Sequence, residues 1–303
     1  MSTYRERMEA YAHHAALLAS QDNTPTLRQA ARWIKEADKI VVGGAAGLSA
    51  AGGMDYMSHE TLEHVFPQLS KKRYDHFWKA LWDPERTQEQ KWAMLAAEAL
   101  WARFDYPVIS AYTHLLRVLQ NKDYFVLTSN IDGQFIKAGF DPQRVFEPQG
   151  SIALLQCSRP CCDMLWDGEP FYRQIARDID PVSFSCPTED IPHCGAPLVQ
   201  NLRGPDCFIP RETMKNRQPF EDFMKEAEHS STLFLELGVG FNSPGLIRHY
   251  FQRLTWLWPN ARLIRFNRDY PSTPKKLGER ALPVGGDLKE NLLKLDRFCQ
   301  EEL

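Results

Sequence analysis

The chain has 303 residues, a length that predicts roughly two domains and a core large enough to need no disulfides. Hydrophobic residues make up 43% of the chain and charged residues 25%, proportions that exclude an intrinsically disordered protein. The formal net charge of −3 argues against a protein that binds nucleic acid through a basic surface.

The sequence also argues against a membrane or secreted protein. Its longest apolar run, residues 40–48, is much shorter than a membrane-spanning helix. The first residues carry mixed charges with no apolar segment behind them, unlike a secretory signal. We therefore expect a cytoplasmic protein, with the mitochondrion as the alternative compartment.

Strands and helices alternate along most of the chain. In chain order, the hydrophobic patterns predict a helix at 26–37, a strand at 39–43, helical segments across 58–104, a helix at 110–119, a strand at 124–128, an irregular insertion at 152–204, a helix at 219–228, a strand at 232–237, a helix at 245–254, a strand at 262–266 and a helix at 287–298 with Asp287 as its N-cap. This alternation indicates an α/β fold with a Rossmann-like, doubly wound parallel sheet. Such sheets bind ligands at the carboxyl ends of their strands.

Two of the predicted turns are rich in small or polar residues. The turn after the first strand contains Gly43, Gly44, Ala45, Ala46, Gly47, Ser49 and Gly53. Small side chains allow backbone N–H groups to approach a pyrophosphate, although the spacing is neither G-x-G-x-x-G nor that of a P-loop. The turn after the 124–128 strand places Asn130 and Asp132 toward the same crevice. The alternatives are an ordinary tight turn and side chains that satisfy only local backbone groups.

Aromatic and cysteine residues are each concentrated in one stretch. The aromatic side chains of residues 77–104 have helical spacing, which predicts a core face, and the alternative is a groove for an acceptor. Five of the seven cysteines fall between Cys157 and Cys194. In a reducing compartment such clustering favours metal binding over disulfides.

The order of these motifs resembles that of the sirtuins, which are NAD-dependent deacylases and ADP-ribosyltransferases. The resemblance extends over residues 28–295. The matching stretches are Gly47-Leu48-Ser49 with Gly53, Thr128-Ser129-Asn130-Ile131-Asp132-Gly133, Gln149-Gly150-Ser151, Gly238-Val239-Gly240-Phe241-Asn242, Asn267 and Gly286-Asp287.

The resemblance implies a site that binds NAD as a substrate. The implied NAD-binding residues are Gly43, Ala45, Ala46, Gly47, Ser49, Gly53, Ser129, Asn130, Asp132, Gln149, Gly238, Gly240, Asn267, Asp287 and Leu288, of which Asn130 and Gln149 are implied to be catalytic. The implied domains are a discontinuous NAD-binding domain of residues 25–53, 108–149 and 216–299, and a small domain of a helical insertion (54–107) and a zinc-ribbon-like module (150–215).

The departures from the sirtuin pattern change the expected reaction. The catalytic His of sirtuins is Gln149 here, and residues 55–58 replace a Pro-Asp-Phe-Arg stretch. The Gln, together with residues 130–140 and 238–245, is similar to the macrodomain-linked class M sirtuins, which are protein ADP-ribosyltransferases. That class modifies a lipoylated glycine-cleavage H-like carrier protein, and a partner macrodomain hydrolase reverses the modification.

An amide at position 149 cannot take up a proton near neutral pH, whereas an imidazole can. General acid–base help contributes typically about 10²–10⁴-fold to a rate, so we expect deacylation to be strongly impaired. ADP-ribose transfer to an acceptor protein does not require a base at this position. The alternatives are a deacylase and a catalytically dead module that only binds NAD.

The resemblance also implies a structural zinc bound by two pairs of cysteines. Cys157 and Cys161 match the first pair, with Cys162 as an alternative to Cys161. Cys186 and Cys194 would form the second pair across a five-residue insertion. His193 is an alternative ligand, and a ribbon with free thiols is the alternative to a zinc site.

Overall fold

The computed structural model describes residues 12–13, 16–18, 20–67, 69, 73–159, 161–186, 194–204 and 206–301. Within these residues the strands are β1 (Lys39–Gly44), β2 (Asp123–Thr128), β3 (Val145–Phe146), β4 (Gly150–Cys157), β5 (Leu165–Asp167), β6 (Leu198–Leu202), β7 (Thr232–Leu237), β8 (Arg262–Phe266) and β9 (Ala281–Val284). The α-helices are α1 (Thr24–Glu36), α2 (Ala46–Ala50), α3 (His59–Val65), α4 (Phe77–Leu81), α5 (Gln88–Ala99), α6 (Ser110–Val118), α7 (Gln134–Lys137), α8 (Glu169–Arg177), α9 (Arg217–Glu228), α10 (Arg248–Leu257) and α11 (Leu288–Glu301). A π-helix (Leu100–Asp105) continues α5, and 3₁₀ turns occur at Pro142–Arg144 and Lys275–Arg280.

The larger sheet has six strands in the order β3-β2-β1-β7-β8-β9, and the described pairs are all parallel. The chain order reverses between β1 and β7, because successive strands extend to one side of β1 and then to the other. A doubly wound sheet binds its ligand in the crevice at this reversal. The predicted α/β fold with a Rossmann-like sheet is confirmed.

Helices cover both faces of this sheet because neighbouring strand residues point in opposite directions. In β1, Ile40 and Val42 belong to a core that also contains Leu27 of α1. Val41, between them, belongs to a second core with Phe223 of α9. The run of apolar residues in β1 is therefore explained by burial on both sides.

A three-stranded antiparallel sheet, in the order β5-β4-β6, forms a smaller unit with the helical insertion. Helix α8, which lies in this unit, packs against α5. Glu98 of α5 is fully buried and accepts a hydrogen bond from the hydroxyl of Tyr56 (3.1 Å). Burial raises the pKa of the Glu98 carboxyl to about 7. The domain boundaries given above stay a prediction.

The structure differs from the sequence prediction in three places. Strands β3 and β9 were not predicted; β3 has only two residues and β9 contains Pro283. The predicted irregular stretch 152–204 contains β5, α8 and β6. The aromatic residues are divided between core and surface: Phe77 and Trp92 are buried, whereas Trp78 and Trp82 remain about half exposed.

Helix α11 begins as predicted. The side chain of Asp287 accepts a hydrogen bond from the backbone N–H of Glu290 (2.8 Å), which is the geometry of an N-cap. In the part of the chain that the structure describes, no helix has the length and apolar character that crossing a membrane requires.

Candidate active site

The turns after β1 and β7 touch at the point where the strand order reverses. The N–H of Gly47 donates to the carbonyl of Gly238 (3.1 Å), and a Cβ on Gly47 would lie only 2.7 Å from the same oxygen. Residue 47 must therefore be glycine for the two turns to approach this closely. The N–H of Ala45 donates to Leu237 on the same side (3.1 Å).

Three other residues of the small-residue turn have different surroundings. Gly43 lies inside β1, where a Cβ would collide with Ile247 and Phe251 (2.4 and 2.5 Å). Its small size therefore allows α10 to pack on the sheet. Ala46 and Gly53 are exposed at the two ends of the turn.

Four side chains behind this turn form what we name the inner polar cluster: Ser49, Tyr112, Asn130 and Asp132. The Ser49 hydroxyl donates to Asp132 Oδ2 (2.6 Å) and lies 2.6 Å from the Tyr112 hydroxyl. Asn130 Nδ2 donates to the Tyr112 hydroxyl (3.0 Å) and to Ser49 Oγ (3.2 Å). All four side chains are buried. The structure thus brings together three predicted residues from two separate turns.

The electrostatics of this cluster depend on burial. Burial raises the pKa of Asp132 above its usual range, although hydrogen bonds from Ser49 and from the N–H of Gln134 oppose the shift. Burial raises the pKa of Tyr112 well above 10, so its hydroxyl stays protonated. Ser129, at the edge of the same loop, is half-buried, and its N–H donates to the carbonyl of Gly44 (3.1 Å).

Gln149 immediately precedes β4, on the short segment that connects β3 of the larger sheet to the smaller sheet. It is half-buried, and its carbonyl accepts a hydrogen bond from the N–H of Arg203 (2.9 Å). Glu147, two residues earlier, has a carboxyl whose pKa burial raises to about 7. An amide and a carboxyl that titrates near neutrality therefore lie on the same short segment.

The turns after β7 and β8 are fixed to each other by Asn267. Its Nδ2 donates to the carbonyl of Val239 (2.8 Å), and its Oδ1 accepts from the N–H groups of Asp269 and Tyr270 (3.0 and 2.8 Å). Gly238 and Gly240 of the first turn are half-buried. The predicted residues of these turns therefore lie beside the crevice, at the carboxyl ends of β7 and β8.

Beneath these turns lies what we name the buried ion network: Glu236 of β7, Arg265 of β8 and Arg248 of α10. Arg265 Nε and Nη2 donate to the two carboxylate oxygens of Glu236 (2.7 and 2.8 Å). Arg248 Nη1 donates to Glu236 Oε1 (3.4 Å) and to the carbonyl of Val239 (3.0 Å), and Nη2 donates to the carbonyl of Tyr270 (3.0 Å). The hydrogen bonds of Arg248 therefore connect the network to both turns.

The last two predicted site residues are at the start of α11. Asp287 is exposed and its side chain caps the helix, while Leu288 is buried in the core. Only the backbone of Leu288 is therefore available to a ligand.

Three of the four predicted zinc ligands come together. The sulfur atoms of Cys157, Cys161 and Cys194 all lie within 4.8 Å of one another, and we name this group the cysteine cluster. Three converging thiols fit zinc, which takes four such ligands in structural sites. The thiol of Cys162 approaches that of Cys161 (3.7 Å).

Cys186 is not part of the cysteine cluster in the described structure. It is buried, and its thiol donates to the carbonyl of Glu89 on α5 (3.4 Å). The Cys186 thiol therefore does not reach the cysteine cluster across the insertion in this structure. His193, the alternative ligand, lies outside the described residues.

Several residues of the site were not predicted from the sequence. Tyr112 lies on the apolar face of α6, where a tyrosine resembles any other core residue. Arg248 and Glu236 were not predicted as site residues, and Glu236 is fully buried. The available signal was an acidic residue in β7 and a basic residue in β8, each within an apolar strand.

Comparisons with known proteins identify proteins of similar sequence. No protein-family model matches the sequence. The chain is 28% identical over 260 residues to a protein ADP-ribosyltransferase of Staphylococcus aureus, covering 84% of this chain and 82% of that protein. It is 29% identical over 270 residues to a probable bifunctional ADP-ribose hydrolase/ADP-ribosyltransferase of Fusarium oxysporum f. sp. cubense, covering 83% of this chain and 42% of that protein.

A solved structure of a mutant Sir2 homologue in complex with 2′-O-acetyl ADP ribose has a TM-score of 0.60 with this chain at 19% sequence identity. The similarity covers 91% of this chain and 97% of the solved one. The two proteins therefore share a fold.

Proposed function

We propose that this chain, which belongs to the sirtuin family, transfers ADP-ribose from NAD to a side chain of an acceptor protein and releases nicotinamide. Gln149 is the observation that carries the proposal. Its amide stands where sirtuins have a catalytic His and cannot act as a base near neutral pH. Hydrogen bonds hold the inner polar cluster together at the carboxyl ends of the strands. Cleavage of the bond to nicotinamide is thus supported without the base that deacylation uses.

The residues of the crevice fit NAD. The turn after β1 consists mainly of small residues, which would allow a pyrophosphate to approach its backbone, as in other doubly wound sheets. Asn130 and Asp132 offer an amide and a carboxylate to the ribose hydroxyls. Gly240, Asn267, Asp287 and the backbone of Leu288 would face the second ribose and the adenine.

The acceptor and the reversing enzyme are the finer part of the proposal. The resemblance to class M sirtuins supports a lipoylated glycine-cleavage H-like carrier as the acceptor. The Fusarium relative is named as a probable bifunctional ADP-ribose hydrolase and ADP-ribosyltransferase, which supports a functional link to a macrodomain hydrolase.

We also propose one structural zinc at Cys157, Cys161 and Cys194, with Cys162 as the described thiol nearest to completing the site. Thiols that remain free of disulfides support a reducing compartment such as the cytoplasm.

The test is to incubate the protein with labelled NAD and the carrier protein in lipoylated and unlipoylated form. We expect label to become covalently attached to the lipoylated carrier, and Asn130→Ala to reduce the attachment by at least about tenfold, since a buried group at the reacting ribose is removed. Asn260→Ala, at an exposed position, is the matched control. Fast deacylation of an acyl-lysine peptide without any labelled carrier would refute the proposal.

A further inference from the structure

Glu147 leaves the sheet beside the loop of Asn130 and Asp132. Strand β3 pairs in parallel with β2, and Phe146 lies opposite Leu127. The residue after Phe146 is therefore at the level of Thr128, where the loop of Asn130 and Asp132 begins. Glu147 thus reaches the carboxyl edge of the sheet at the same height as the inner polar cluster.

The carboxyl of Glu147 is buried and interacts with charged groups from other elements. It interacts electrostatically with Arg103 of the π-helix and with Asp132 of the β2 loop. It also interacts with the hydroxyl of Tyr112 on α6. These three groups come from three separate elements and interact with one carboxyl.

Arg103 is placed over the same loop. A Cβ on Gly133 would lie 1.2 Å from Arg103 Nη1, so the guanidinium occupies the space that a side chain at position 133 would fill. Nη1 is buried and has no hydrogen-bond partner among the described residues. The buried Nη1 of Arg103 is therefore a free donor on a cation that interacts electrostatically with the Glu147 carboxylate.

We propose that Glu147 accepts the proton of the incoming nucleophile in the transfer reaction, with Arg103 as the positioning residue of its carboxylate. This inference rests on the function proposed above. In the step, the bond between C1′ of the ribose and the nicotinamide nitrogen breaks, and its electron pair neutralises the positive charge of the nicotinamide ring. The nucleophile bonds to C1′, and its proton passes to the Glu147 carboxylate.

The titration of the surrounding groups agrees with this role. Burial raises the pKa of Glu147 to about 7, and the Arg103 guanidinium opposes that shift while Asp132 adds to it. A base with a pKa near the working pH is the most effective kind. Tyr112 stays neutral throughout this range because burial raises its pKa well above 10.

The experiment uses the full chain with water as the nucleophile, so that the acceptor protein is not needed. Nicotinamide release from saturating NAD is measured between pH 6 and pH 8, and ADP-ribose binding is measured by calorimetry. A single carboxylate with a pKa near 7 predicts an increase of about tenfold in kcat across this range. We expect Glu147→Gln to reduce kcat by about 10²–10⁴-fold and to remove the pH dependence, with KM for NAD unchanged.

Two further variants separate catalysis from structure. Glu98→Gln removes another buried carboxyl whose pKa is also about 7, and we expect it to retain the pH dependence of the wild type. Arg103→Ala removes the cation that lowers the pKa of Glu147, so the midpoint of the profile should move to higher pH, and Arg103→Lys should restore it. If Glu147→Gln fails to bind ADP-ribose, Glu147→Asp must keep the pH dependence at a lower kcat.

The outcomes distinguish this inference from the proposed function. A Glu147→Gln variant with the kcat and pH profile of the wild type overturns the inference alone. A wild-type protein that binds ADP-ribose yet releases no nicotinamide, with water or with the carrier, overturns the inference together with the proposed function.

Discussion

At the scale of a single side chain, the proposed function depends on Gln149, whose amide would allow cleavage of NAD without the base that removes acyl groups. An amide and an imidazole have similar size and hydrogen-bonding capacity, but only the imidazole exchanges a proton near neutral pH. The change was visible in the sequence because the flanking Gly150 and Ser151 keep the family pattern. Its half-buried position agrees with a role beside the reacting ribose.

Replacing Gln149 by His should therefore restore a base. We expect Gln149→His to increase deacylation of an acyl-lysine peptide by at least about tenfold, within the 10²–10⁴-fold that general base catalysis contributes. The measurement is NAD-dependent loss of the acyl group, followed by mass spectrometry of the peptide. Gln120→His, at an exposed position, is the control. No gain over this control would show that other departures, such as residues 55–58, block the reaction.

Not every residue of the site was predictable. Ser49, Asn130 and Asp132 occur in recognisable turns, and the structure brings their side chains together. Tyr112 gave no signal because its hydroxyl is supported by partners that are distant in sequence. Arg103 was missed because its direction depends on a π-helical turn, which no hydrophobic period predicts.

At the scale of elements, β7 and β8 are mostly apolar strands that each contain one buried charge. Glu236 and Arg265 are both fully solvent-inaccessible, and each compensates the charge of the other. Donors of the buried ion network also bind carbonyls of the turns that hold Gly238 and Asn267. The two strands thus carry the groups that shape the proposed nucleotide site.

Neutralising Glu236 should destabilise the protein and weaken nucleotide binding. We expect Glu236→Gln to reduce the free energy of unfolding by about 3–5 kcal/mol, because it removes the carboxylate that pairs with the fully buried Arg265 guanidinium. Urea unfolding measures this change, and calorimetry with ADP-ribose should show a higher Kd.

The matched control for Glu236→Gln is the partly exposed ion pair between Arg262 and Glu36 (2.6 Å). Glu36→Gln should reduce the free energy of unfolding by less than about 1 kcal/mol, since exposed pairs are screened by solvent. Equal stability of the two variants would contradict the assigned importance of the buried ion network.

Elements with long, regular patterns were predicted well. The predicted bounds of β7 and β8 are those of the structure, because six and five mostly apolar residues are flanked by clear turns. Strand β3 was missed because two residues contain no period. The cysteine-containing module looked irregular because its strands are short and its pairing is shifted between Ser151 and Leu155.

At the scale of the whole molecule, the strand order was the least predictable feature. Alternation of strands and helices indicated a parallel sheet, but the sequence does not state that β7 returns to pair with β1. That pairing depends on contacts such as the one between Gly47 and Gly238, which are distant in sequence.

The cysteine cluster gives a prediction for the smaller unit. We expect about one zinc ion per purified chain, and nearly none in Cys157→Ser, Cys161→Ser or Cys194→Ser, because each removes a converging thiol. Chelation should lower the melting temperature of the wild type. Cys186→Ser is the control and should retain its zinc, since its thiol donates to Glu89 instead. Equal loss of zinc in Cys186→Ser and Cys194→Ser would show that the ligands rearrange when the metal binds.

The π-helix after α5 determines the directions in which the side chains before and after it point from one continuous helix. On one side of this wide turn, Glu98 is directed into the interior of the smaller unit, and on the other side Arg103 reaches Gly133. An ordinary α-helix advances by 100° per residue, so removing one residue from Leu100–Asp105 would swing the guanidinium about a quarter of a revolution away from the crevice. A single extra residue of backbone therefore allows one continuous helix to place Glu98 in the interior of the smaller unit and Arg103 against Gly133 of the larger one.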